Sequence, residues 1–189
     1  MIEMRRSIPK VLTEQEAKSF FDQCNLNYRR PHRDYLMCRL MYKTGLRVSE
    51  VCNLKEDHIN WDTGRIIVRD GKGGRDRSVF LKGDLKDEIR AWYDEYSNCD
   101  FIFSTTTGNQ VDTSQLRRTV NRVAPKANIK ESERVSNHTF RHSFSVKFYS
   151  ETHNLRALQR ILGHSNVSTT EIYTRILDDE VEELMTQVA

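Results

Sequence analysis

Few residues in this chain break structure or staple it. Of 189 residues, three are proline and eight are glycine, so flexible linkers and fibrous repeats are excluded by composition. The four cysteines, Cys24, Cys38, Cys52 and Cys99, form no CxxC pair, and none stands beside a histidine at ligand spacing. A disulfide framework or a zinc site is therefore not expected, and the thiols are read as free and buried. No apolar run approaches the ~18–20 residues of a membrane helix. Met1–Lys10 is charged and lacks an apolar h-region, so no secretory signal is expected and a cytoplasmic location is. Internal repeats and low-complexity stretches are absent.

What is present describes a globular protein. Hydrophobic residues are 37% and charged residues 30%, with a mean hydropathy of −0.70. The length favours one domain, and it suffices to bury a core without staples. The formal net charge of +3 is modest, but it is unevenly spread. Residues 65–77 set Arg65, Arg69, Lys72, Arg75 and Arg77 against Asp70 and Asp76. Residues 115–134 set Arg117, Arg118, Arg122, Lys126, Lys130 and Arg134 against Glu131 and Glu133. Residues 177–189 carry Asp178, Asp179, Glu180, Glu182 and Glu183 with no base. Basic blocks with an acidic end fit a surface that faces a polyanion; solvated helix faces fit them too.

Thr13-Glu14-Gln15-Glu16 reads as a capping box. It opens a helix with Ala17, Phe20, Phe21 and Cys24 at core spacing. Pro31 stands in the first turn of a second helix, along which lie Tyr35, Leu36, Leu40 and Met41, with Gly45 closing it. Val48–Leu54 reads as a short third helix. Arg65–Arg69 and Ser78–Leu81 are β-rich and flank Gly71-Lys72-Gly73-Gly74-Arg75, which predicts a hairpin with a basic tip. Helix is expected over about 84–97, a short extended piece at Phe101–Phe103, and a basic helix from an Asp112 or Thr113 cap to about 124. Further helices are expected over about 138–152, 154–163 and 166–175. Ile176, Leu177, Val181, Leu184, Met185 and Val188 give the tail an amphipathic helix. The expected fold class is mainly α with a small antiparallel β-sheet (α+β).

Several short motifs carry chemistry-bearing residues, and each has a plain structural reading. Arg47, just past a helix end with Glu50 three residues on, is what a surface ion pair looks like. Lys72 is what an exposed loop lysine looks like, although its glycines allow close backbone approach to a ligand. His138 and Arg141 stand one helical turn apart. His138 and His142 have the i,i+4 spacing of a zinc pair, but no third ligand or intervening glutamate accompanies them. His164 follows a helix ending in Leu162-Gly163, and Tyr173 closes Thr169-Thr170-Glu171-Ile172.

Together, in order, these motifs resemble the catalytic domain of the tyrosine recombinases, the phage-integrase and Xer-type family. The resemblance is carried by Thr-Gly-Leu-Arg47-Val-Ser-Glu50, Gly-Lys72-Gly-Gly-Arg-Asp-Arg, His138-Thr-Phe-Arg141-His142-Ser, and Leu162-Gly-His164-Ser-Asn-Val-Ser-Thr-Thr-Glu-Ile-Tyr173-Thr. It implies site-specific DNA cleavage and rejoining through a 3′-phosphotyrosyl intermediate, without metal or cofactor. Tyr173 is the implied nucleophile, Arg47 and Arg141 the phosphate clamp, and Lys72 the general acid. His138 and His164 are the implied phosphate hydrogen-bonders, and Glu50 the acidic position supporting them. Arg69, Arg75, Arg77, Arg117, Arg118 and Arg122 are expected to contact DNA. The implied partners are double-stranded DNA and, on it, three further copies in a tetramer, from a protein monomeric in solution. A nucleoid-associated location follows. The expected division is an extension over 1–12, a catalytic domain over 13–175 and a tail helix over 176–189. The family's usual N-terminal helical domain has no counterpart in residues 1–12, and Phe140 and Ser143 stand where leucine and threonine are more usual.

Physical chemistry accommodates those roles. Attack on a phosphodiester builds charge on its non-bridging oxygens, which two guanidinium forks meet with fixed donors. A phenol with pKa about 10 is a poor nucleophile at pH 7, and arginines beside it are expected to stabilise the phenolate. The 5′ alkoxide leaves only if protonated, which a lysine on a hairpin tip can supply. Two other readings stand beside this one: a type IB topoisomerase-like enzyme, and a DNA-binding accessory module without catalysis.

Overall fold

The computed structural model describes residues 8–69, 76–96, 99–164, 170, 172–174 and 176. In chain order the elements are α1 (Glu14–Asp22), α2 (Arg29–Thr44), α3 (Val48–Cys52), β1 (Ile59–Asn60), β2 (Arg65–Val68), β3 (Arg77–Phe80), α4 (Asp84–Tyr96), α5 (Thr113–Val123), α6 (Asn137–Thr152) and α7 (Leu155–Leu162). The fold is mainly helical with one three-stranded antiparallel sheet, ordered β1-β2-β3.

Helix α2 is the axle. It packs on α6, α4, α3 and α5, and buries Leu36, Met37, Cys38, Leu40 and Met41. Gly45 ends it at φ 70°, and a Cβ there would stand 2.5 Å from the Phe144 ring. Conformation and space therefore both demand glycine. At α1 the expected capping box forms: Glu16 N–H donates to Thr13 Oγ1 at 3.1 Å, and Thr13 N–H to Glu16 Oε2 at 3.0 Å. Phe20 meets Phe140 edge-on, with ring centroids 5.1 Å apart. Phe140 is thus a packing residue. Ser143 does more: its Oγ accepts from Leu12 N–H at 2.9 Å and ties the segment before α1 to α6.

The hairpin pairs Ile66 with Val79 and Val68 with Arg77. Directly paired residues share a face, so Arg77 lies on the inner face with Val68. The tip, including Lys72 and Arg75, lies outside the described residues, as do 177–189 of the tail. Ile176 buries against Val146, Leu158, Leu162 and Tyr173 of its own chain.

Several boundaries differ from expectation. Helix α1 ends at Asp22, so Cys24 lies beyond it, and α3 ends at Cys52 rather than Leu54. Strand β1 was not anticipated, because two residues carry no period. Only Cys38 and Cys52 are buried; Cys24 and Cys99 are half-buried, and all four thiols are free. Burial pushes the Cys24 and Cys52 thiols up to about 11, which leaves them protonated and unreactive at neutral pH.

A buried ion pair within α2 is tied to α5 by a threonine hydroxyl. Arg33 Nη2 and Nε donate to Asp34 Oδ1 at 2.6 and 3.0 Å, and Thr119 Oγ1 donates to Asp34 Oδ2 at 2.7 Å. Arg33 Nη1 donates to the Ser104 carbonyl at 3.1 Å. Removing the carboxylate strands a buried guanidinium. Asp34→Ala is therefore expected to lower the unfolding free energy by about 3–5 kcal/mol, read from urea denaturation with an unchanged m-value. A loss under 1 kcal/mol would show that water replaces the carboxylate.

Candidate active site

Four separate stretches of chain meet at the ends of α2 and α7. Arg141, on α6, is 4% exposed. Its Nη1 donates to the Gly45 carbonyl at 2.5 Å and its Nη2 to the Leu162 carbonyl at 2.7 Å. Both acceptors are helix-end carbonyls, where the partial charge is negative and a cation is favoured. Burial, with the repulsion of Arg47, lowers the Arg141 pKa to about 10, and the group stays charged at pH 7.

His164 follows directly from α7. Arg141 Nη2 lies 3.0 Å from its Nε2. A guanidinium only donates, so Nε2 is the acceptor and the ring proton sits on Nδ1. Nδ1–H then donates to Thr170 Oγ1 at 2.9 Å. Burial, then Arg141 and Arg47, lowers the His164 pKa to about 4, so the ring is neutral at pH 7.

Arg47 precedes α3, with its side chain 35% exposed. Glu50 Oε2 accepts from Arg47 N–H at 2.7 Å, and Glu50 Oε1 accepts from Arg47 Nη1 at 2.8 Å. Glu50 also receives Arg77 Nη2 at 2.7 Å. Burial alone would raise the Glu50 pKa; the bonds from Arg77 and Arg47 outweigh it and keep the carboxyl below its usual range. The expected surface pair exists, but it is one side of a three-residue junction.

Tyr173 is 2% exposed. Its hydroxyl lies 3.1 Å from His142 Nδ1. Burial raises its pKa above 10, although Ser145, Arg141 and Arg47 each pull it down. The expectation of a stabilised phenolate is corrected for this state: desolvation outweighs the arginines.

The other expected residues fall in different places. His138, on the first turn of α6, is exposed, with its ring 6.4 Å from that of His142. Arg77 was expected on DNA. Instead its side chain is 8% exposed, bonded to Glu50 and, through Nε, to the Ile161 carbonyl at 2.7 Å. Inner-face strand parity explains why. Arg69 is exposed and 4.0 Å from Asp57. Arg117, Arg118 and Arg122 are exposed on α5, opposite its buried Leu116, Val120 and Val123. A groove of about 340 Å³ runs between α3 and β2, with Arg47 and Arg69 on its walls.

Sequence reasoning missed His142, weighed there only as half of a metal pair, and it missed Ser145 and Thr170. Their signal was weak: polar residues one and four places after Arg141, and one three places before Tyr173. Among the described residues, no three of His, Cys, Asp and Glu converge on a possible metal position.

A model of the phage integrase family matches residues 10–180. The chain belongs to that family. It is 39% identical over 175 residues to tyrosine recombinase XerA of Thermococcus kodakarensis, covering 90% of this chain and 60% of that protein. Tyrosine recombinase XerD of Staphylococcus aureus is 32% identical over 190 residues, covering 96% of this chain and 63% of that one. The crystal structure of XerA recombinase superposes with a TM-score of 0.79 at 30% identity, over 95% of this chain and 65% of that one. XerH recombinase, in a post-cleavage complex with a palindromic difH substrate, gives 0.81 at 25% identity, over 95% and 53%. The chain spans about three-fifths of the length of the curated relatives it matches. Its fold is that of tyrosine recombinase catalytic domains.

The two neutral histidines set an acid sensitivity. Burial depresses His142 to about 4, as it does His164. The unfolded chain takes up these protons near pH 6.5, and the folded chain resists until about 4. Stability is therefore full above 6.5 and falls as pH drops through this window. The thermal midpoint is expected to decline between pH 6.5 and 5, above the carboxylate range, and to decline less in His164→Asn. A flat midpoint there would show that the folded rings accept protons.

Proposed function

We propose that this chain is the catalytic part of a site-specific DNA recombinase. It cleaves and rejoins strands of double-stranded DNA by transesterification. The observation that supports this best is the convergence of Tyr173, Arg141, His164 and Arg47 at two helix ends, in a chain of the phage integrase family.

Tyr173 Oη loses its proton to solvent as it attacks phosphorus, a 3′-phosphotyrosyl bond forms, and the bond to the 5′ oxygen breaks. Arg47 and Arg141 hold the non-bridging oxygens, where two aimed guanidiniums stabilise developing charge. A guanidinium has five N–H donors. Arg141 spends three on Gly45, Leu162 and His164, which leaves two for phosphate. Glu50 keeps Arg47 at the edge of the cluster, half-exposed. His138, exposed on the same helix as Arg141, reaches the phosphate from outside, and Lys72 gives its proton to the 5′ oxygen. The covalent link conserves the bond energy, so ATP is not used, and no metal is required. The duplex lies along the groove walled by Arg47 and Arg69 and extends to the exposed arginines of α5. The protein acts as a tetramer on DNA, with residues 13–175 as the catalytic unit.

Three variants on a nicked suicide substrate, and a chelator, test this. Tyr173→Phe should abolish the covalent adduct while DNA binding persists; an adduct in that variant would place the nucleophile elsewhere. Arg141→Lys offers three donors, all of which the protein already uses, so cleavage should fall by roughly 10²-fold or more. Near-normal cleavage would show that charge suffices. Lys72→Ala should be rescued by a 5′-bridging phosphorothiolate, whose thiolate leaves unprotonated, and EDTA should change none of these rates. Absence of rescue would make Lys72 a DNA-positioning residue, and inhibition by EDTA would refute the metal-free route.

A further inference from the structure

The hydroxyl of Tyr173 meets one imidazole, and that residue has no part in the scheme above. His142 Nδ1 lies 3.1 Å from Tyr173 Oη, and the two ring centroids are 5.9 Å apart at 50°. His142 directly follows Arg141 in the rigid interior of α6. Consecutive Cα atoms are about 3.8 Å apart, so the phosphate-binding guanidinium and the imidazole on the phenol share one backbone step.

Among the described residues, Tyr173 has little else to locate its oxygen. Its backbone N–H donates to the Thr170 carbonyl at 3.1 Å. Its ring sits in a small apolar cluster with Leu158, Leu162 and Ile176. Such contacts hold the ring, and with it the oxygen on its axis, by non-directional packing; a hydrogen bond to the oxygen adds a directional restraint. Among the described residues, Ser145 and His142 are the side chains that hydrogen-bond that hydroxyl, and Ser145 already spends its own O–H on the Arg141 carbonyl at 2.7 Å.

We propose that His142 is a positioning residue for strand cleavage, holding the oxygen of Tyr173 in register with the phosphate held by Arg141. This rests on the assignment of Tyr173 as nucleophile. The imidazole needs no change of charge in this role: a neutral ring at pH 7 serves as a fixed hydrogen-bonding partner. In-line attack tolerates little error in the position of the attacking atom, and a nucleophile delivered by a segment remote in sequence from the clamp needs a reference on the clamp's own helix.

The experiment compares His142→Asn, which keeps a polar atom near the place of Nδ1, with His142→Phe, which keeps the ring and removes it. Adduct formation on a nicked half-site duplex is followed in single turnover, DNA affinity by titration, and folding by the thermal midpoint. Misplacing the nucleophile should slow cleavage by about 10–100-fold in His142→Phe, with DNA affinity unchanged. His142→Asn should stay within about five-fold of the parent if the hydrogen bond is what matters. Equal loss in both folded variants would assign the effect to ring packing and overturn the proposal. Parent-like or faster cleavage by His142→Phe would also overturn it, the latter because the contact would then restrain the phenol. If His142→Phe does not fold, His142→Asn against His142→Leu gives the same contrast. Tyr173→Phe runs alongside: an adduct surviving in it refutes the nucleophile assignment, whereas its loss together with indifference to His142 refutes only the present proposal.

Discussion

One guanidinium holds the site together. Arg141 reaches from α6 to the carbonyl ends of α2 and α7, and the rest of the cluster is arranged around it. The two helix ends supply negative partial charge to a cation that burial would otherwise penalise. They in turn gain partners for carbonyls that no helix can satisfy internally. Gly45 makes the junction possible, since any side chain there would strike the Phe144 ring.

Around that bond the charge balance is lopsided. Among the described residues, Arg47, Arg77 and Arg141 stand with a single carboxylate, Glu50, which bonds the first two. The histidines of the cluster are held neutral chiefly by burial, His142 also by His138 and Arg141, and His164 by Arg141, Arg47 and Arg77. The result is a pocket of surplus positive charge in a partly dry setting, which an anionic diester would neutralise. Desolvation also keeps the Tyr173 hydroxyl protonated despite those cations. Solvation therefore governs this hydroxyl more strongly than charge does.

Much of this was legible beforehand because it is local. The capping box at Thr13, the glycine stop at Gly45, the hairpin and the Asp112 cap are each decided within a few residues. The residues of the site were visible as an ordered set of motifs, although their contacts were not. What stayed hidden depends on distant partners or on parity. Arg33 and Asp34 look like surface charges until α5 covers them. Arg77 sits among basic neighbours and reads as one more phosphate contact; two places before the buried Val79, it carries inner-face parity, and that outranks composition. The pairing of His142 with Tyr173 spans more than thirty residues, beyond any local pattern, and the burial of Tyr173 follows from tertiary packing alone.

The place of Arg77 has a mechanical side. Its guanidinium bonds the carboxylate at the start of α3 and the carbonyl of Ile161 near the end of α7, while its backbone is a rung of the hairpin. It acts as a rivet through three layers. The hairpin that carries Lys72 and the helix end that leads to His164 and Tyr173 are therefore not separate levers. A pull on the strand cannot slide it past α7 without breaking the hydrogen bond from Arg77 to the Ile161 carbonyl, so strand and helix end must travel as one piece or not at all.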